Sequence, residues 1–115
     1  MSRITLSSTQ VAKLDSEELR VAADEWFAGK VAEGFESTSG IKLGLTESDV
    51  TLLTGNFVLA KEADELELDI PPIIDREGMP HELNIEQLTG LMLEYGQHRA
   101  SLSVEYAARR QGSED

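Results

Sequence analysis

The stretch from Pro71 to Arg110 constrains this chain most, because it holds the clearest tight turn, the clearest helix start and the longest helix. Pro71-Pro72 stops any helix from running into it, since proline lacks an N–H and disfavours helical geometry in the residue before it. Asp75-Arg76-Glu77-Gly78 then puts Asp at the first and Gly at the fourth position, the pattern of a type I turn followed by a left-handed residue. Ile73-Ile74 lies before this turn and Met79 to Leu83 after it, which predicts a short β-hairpin near 73–83. A hairpin that short is marginal in water, so it is expected to act as a clip leaning on helices.

A helix over 84–110 follows. Asn84 is a good N-cap and Gln87, three residues on, is its capping-box partner. Leu88, Leu91, Met92, Tyr95, Leu102 and Tyr106 fall on one side of such a helix. Arg109 and Arg110 suit the negative end of the macrodipole, and Gly112 can end it. The segment is roughly 40 Å long at about 1.5 Å per residue. Gly90 and Gly96 inside it each cost on the order of 1 kcal/mol against Ala, so either another backbone approaches there or the helix bends.

From the start of the chain, residues 1–8 read as a flexible or extended arm. A first helix is expected over 8–33, bent near Asp15, where a second capping box (Asp15, Glu18) offers an alternative start. Leu19, Ala23, Trp26, Phe27, Lys30 and Val31 form its inner face, and Gly34 stops it. Residues 35–44 contain a Ser-Gly turn between two β-capable pieces, a second candidate hairpin. A helix over 46–65 begins with Thr46 as cap and Asp49 as capping-box partner, with Val50, Leu53, Phe57 and Ala60 facing inward. Residues 111–115 read as a loose tail. The expectation is one mainly α domain of three helices with one or two small hairpins, packed around Trp26, Leu53, Phe57, Leu88, Leu91 and Tyr95.

Composition excludes several classes. With no cysteine there is no disulfide, thiolate metal site or cysteine nucleophile. No apolar run approaches the roughly 18 residues that span a bilayer, and MSRITLSSTQ lacks the apolar core of a signal peptide, so the chain reads as soluble and intracellular with no membrane partner. A net charge of −12, with Arg109-Arg110 the one adjacent basic pair, argues against direct nucleic-acid binding. The acidic run Lys61 to Asp69 reads as a solvated helix end and loop; its sharper reading is a mimic of DNA or a dock for a basic partner.

Candidate chemistry is thin. His81 lies near Asp75, Glu77 and Glu82, but a metal site needs three or four convergent ligands, and ordinary turn polarity accounts for these residues. Glu94 and His98 form an i, i+4 pair of the usual surface kind. No phosphate loop or nucleophile elbow is present, so no catalytic residue, cofactor or metal is expected. The residues that remain for function are aromatic. Trp26 and Phe27 are neighbours about 100° apart on a helix, so one fills the core and the other reaches its edge or a contact. Together with Tyr95 and Tyr106 they are the candidate protein-contact residues, and Asp75 and Gly78 the structural turn.

Gly34-Phe35 after a helix, Gly40, a helix opening Thr46-x-x-Asp49, the Asp75-x-x-Gly78 turn, Leu83 and a helix carrying Tyr95-Gly96 follow one another in an order that resembles a known family. It is a small, functionally uncharacterised domain of tailed bacteriophages and prophages, usually the C-terminal part of a tail-fibre or tail-fibre-associated protein. The resemblance covers about Asp24 to Arg109, and its motifs are structural rather than catalytic. It implies a non-enzymatic structural or assembly protein of the tail-fibre or baseplate region, located in the virion tail or in the host cytoplasm during assembly. Its partners would be tail-fibre or baseplate proteins, or further copies of itself. Two alternatives stand beside it: a tail-assembly chaperone absent from the finished particle, and a small acidic inhibitor that occupies a nucleic-acid channel of a host enzyme.

Overall fold

The structure, a computed structural model, describes the backbone of residues 8–112 and the side chains of residues 16–112. The order is α1 (Ser8–Glu33), β1 (Phe35–Glu36), β2 (Lys42–Leu43), α2 (Glu47–Glu65), β3 (Ile73–Ile74), β4 (Pro80–His81) and α3 (Ile85–Gln111). The chain is thus mainly α with two antiparallel hairpins, as its periodicities predict. The expected arm lies outside the described residues except for Ser8, which already belongs to α1. Of the expected tail, Gln111 is still helical and Gly112 caps α3; the rest lies outside the described residues. α1 runs through Asp15 as one helix, so the alternative start there is not used.

Local chemistry sets the boundaries. Thr46 and Asp49 form a reciprocal capping box, each side chain accepting from the other's backbone N–H, and Asn84 and Gln87 repeat the arrangement at the start of α3. These contacts satisfy N–H groups that a helix start leaves without partners. The first hairpin pairs Phe35 with Leu43, and its turn closes with Ser37 N–H donating to the Ile41 carbonyl at 2.9 Å. The second pairs Ile73 with His81. Its turn is the expected one: Gly78 N–H donates to the Asp75 carbonyl at 3.0 Å, and Gly78 has φ of 85°.

The core lies where the hairpins and α2 meet α3. Leu53, Leu88, Leu91 and Tyr95 are buried there, as expected, but Trp26 and Phe57 are only half-buried against the cluster. Phe35, Ile41, Leu43, Leu45 and Ile73 take their places. With aromatics at 5% of the chain, bulk must come from aliphatic residues, and the hairpins supply it. The first hairpin is therefore a wall of the core, while the second adds Ile73 alone to it.

α1 packs chiefly on α3, and the two run antiparallel. Phe27 stacks on Tyr106 with ring centroids 4.8 Å apart, and Tyr106 donates its hydroxyl hydrogen bond to Asp24. Gly112, at the end of α3, lies against Leu19, so α1 continues past α3 over residues 8–18. Gly90 and Gly96 face open space, so no other described part of the chain approaches either.

One residue joins three elements. The Arg76 N–H donates to the Lys42 carbonyl at 2.7 Å, hooking the second turn onto β2. Its guanidinium donates to the carbonyls of Glu33 (2.7 Å) and Ala32 (2.6 Å), closing the C-terminal end of α1. The positive charge sits where the helix dipole is negative. Gly34, with φ of 78°, gives the guanidinium room, since a Cβ there would collide with it.

Candidate protein-docking surface

Among the aromatic candidates, Tyr95 must be corrected. It is 2% exposed, sits edge-on to Phe35 and donates to the Gly44 carbonyl at 2.6 Å. A buried tyrosine needs a partner for its hydroxyl, and this carbonyl supplies one, so Tyr95 is a core residue and not a contact. Burial raises its pKa above the ordinary 10.0. Trp26, Phe27 and Tyr106 are half-buried along the α1–α3 seam and largely satisfied within the chain. The Arg109 guanidinium lies 4.4 Å over the Trp26 ring and is itself held by Glu105 at 2.8 Å. The hydrogen bond to Asp24 raises the Tyr106 pKa, with burial adding to it.

The turn residues serve the backbone. Asp75 Oδ1 accepts from the N–H groups of Glu77 (2.8 Å) and Met79 (2.9 Å), and Oδ2 accepts from His81 Nε2 at 2.8 Å. The His81 hydrogen bond, followed by the Met79 N–H, pulls the Asp75 pKa below its ordinary 3.8. A carboxylate with three donors on it is committed to shaping the turn. Among the described residues no three His, Asp or Glu side chains converge to hold a metal ion. Glu94 also departs from expectation. Instead of pairing with His98 it accepts from the N–H (2.9 Å) and hydroxyl (3.0 Å) of Thr38, tying the first hairpin to α3. His98 packs its ring against Phe35.

The surface that stands out is on α2. Its inner line of Leu53 and Ala60, with Val50 and Phe57 beside it, fills the core as expected. A second line, Leu52, Leu59 and Leu66, points outward and is 64%, 54% and 70% exposed, with Val58 beside it. At its N-terminal end this line borders a groove of about 450 Å³. Leu52, Leu53 and Asn56 form one wall, and Leu43 to Thr46 with Ile74 and Arg76 form the other. Exposed leucines in one row beside a groove are the usual material of protein contacts. The signal for them was in the sequence, a spacing of seven set one position from the inner stripe, but the inner stripe accounts for the helix by itself.

Among the described residues no helix is long and apolar enough to cross a membrane. Compared with protein-family models, with characterised proteins and with solved structures, the chain matches none.

Proposed function

We propose that this chain is a non-enzymatic structural or assembly protein of the tail-fibre or baseplate region of a tailed bacteriophage, acting by docking on other proteins. The observation that carries the docking is the apolar outer face of α2, which no described part of the chain covers. The phage assignment rests on the resemblance, and what supports it is that most of its residues hold the architecture. Gly34, Gly40 and Gly78 take positive φ at three turns, Thr46 and Asp49 cap α2, and Tyr95 fixes the first hairpin to α3. In this reading the apolar face supplies affinity, and the acidic surface steers the chain toward basic partners and away from DNA.

Mass spectrometry of purified particles from the phage or induced prophage that encodes the chain tests this. The expected result is a fixed copy number comparable to that of the fibres. Absence from clean particles with abundance in the infected cell overturns the virion-subunit reading. An assembly chaperone then remains if the chain binds a tail protein in a salt-tolerant complex. An inhibitor remains if binding is strongly salt-sensitive and competes with DNA.

A further inference from the structure

The outer face of α2 combines a periodic apolar line with a charge of one sign. Leu52 and Leu59, seven residues apart on α2, stay on one side of the helix to within about 20°, and exposed Leu66 follows at its C-cap. Asn56 and Ala63 lie between them, and Gly55 has open space where a side chain would stand, which lets a second helix come close. From Leu52 to Leu66 the line is about 21 Å long at about 1.5 Å per residue, enough for roughly four turns of an occupant. The groove beside Leu52 and Ile74, about 450 Å³ and lined also by Asp49, Asp75 and Arg76, has room at the end of the line for a large side chain.

The charges choose the occupant. α2 carries Glu47, Asp49, Glu62, Asp64 and Glu65 against the single base Lys61, and exposed Glu67 and Asp69 extend the acidic end. Lys61 lies over the Phe57 ring, on the inner stripe's side. A second copy fits badly. An antiparallel pair of α2 helices sets the acidic start of one beside the acidic end of the other, and a parallel pair sets Glu62 and Glu65 beside their own copies. Like charges so placed are destabilising. We infer that this face binds a basic amphipathic helix of another protein, with Leu-type side chains at i, i+3 or i+4, and i+7, flanked by Lys or Arg. The recognition is of the helix-in-groove kind. It rests on the reading of the chain as a docking protein and adds the chemistry of the partner.

The probe is a synthetic capped peptide of about 18 residues, long enough for about five helical turns, with Leu on one helical face and Lys on the others. A scrambled peptide of the same composition and a version with Glu in place of Lys are the controls. Titration calorimetry at about 0.15 M salt, where distant charges are screened, is expected to show the amphipathic peptide binding about tenfold or more tightly than the scrambled one. The Glu version is expected not to bind. The double variant Leu52→Gln/Leu59→Gln is expected to lose about tenfold or more in affinity, while Leu93→Gln, equally exposed on α3, leaves it unchanged. Circular dichroism checks that both variants stay folded. Equal binding of the scrambled peptide reduces the effect to charge alone and overturns the proposal, as does undiminished binding by the double variant. A dimer in light scattering that the double variant dissolves, with no peptide bound, assigns the face to a second copy and overturns it too. If the peptide fails while the chain is found in particles, the partner chemistry falls and the docking reading stands. If the peptide binds and particles lack the chain, the virion reading falls alone.

Discussion

At residue 76 a single side chain completes the stop that Gly34 begins at the end of α1, by answering two of the carbonyls that a helix end leaves without donors. Arg76→Ala is expected to lower stability by about 1–2 kcal/mol, the usual range for charge-assisted hydrogen bonds discounted for an exposed position. Arg76→Lys is expected to recover little, since an ammonium cannot span both carbonyls as the planar guanidinium does. Urea denaturation of the three proteins measures this. Gly34→Ala should cost about 1–2 kcal/mol in the same assay, because a left-handed φ strains any side chain and the methyl displaces Arg76. Asp75 gives a pH signature. Its pKa is lower in the folded protein than the ordinary 3.8, so its contribution is fully present above that value and is lost as pH falls through the folded value. Thermal melts of Asp75→Asn should therefore lie below wild type at neutral pH, with the gap closing as pH falls below about 3.8.

Among the elements, the ones easiest to read were those whose determinants lie close together in sequence. Thr46 with Asp49, Asn84 with Gln87 and Asp75 with Gly78 each bond within three residues, so spacing alone announces them. The contacts that assemble the fold span far more chain. Thr38 meets Glu94 across 56 positions, Tyr95 meets Gly44 across 51 and Arg76 meets Ala32 across 44, and no local pattern encodes such pairs. That is why the sequence alone pairs Glu94 with its helical neighbour His98 and leaves Tyr95 among the candidate contacts. α2 adds a different difficulty. It has two apolar lines about 100° apart: periodicity finds the inner one, which the core takes, and leaves the outer one without a role. α3 offers a direct test of helix propensity against packing. Gly90→Ala and Gly96→Ala face open space, and each should raise stability by about 1 kcal/mol in chemical denaturation. A loss at either position would mean that a partner backbone lies there.

For the whole molecule, charge is the dominant quantity. A net charge of −12 on 115 residues sets the folded state against its own repulsion. Melting temperature should therefore rise as sodium chloride is added from about 0.01 M to about 0.15 M, where the Debye length falls from about 30 Å to about 8 Å. A flat response would mean that the acids are offset locally. The Arg76 joint carries a consequence for the order in which the chain assembles. Its guanidinium must cross 43 and 44 positions to reach Glu33 and Ala32, so the end of α1 is completed only after that loop closes and the second turn meets β2. Closing a long loop costs entropy before its contacts are made, which places the joint late on the folding route. In stopped-flow measurements Arg76→Ala should speed unfolding and leave the refolding rate nearly unchanged, whereas Thr46→Ala, whose capping contact is local, should slow refolding. The same bond that closes a helix would then act as the last latch to shut and the first to open.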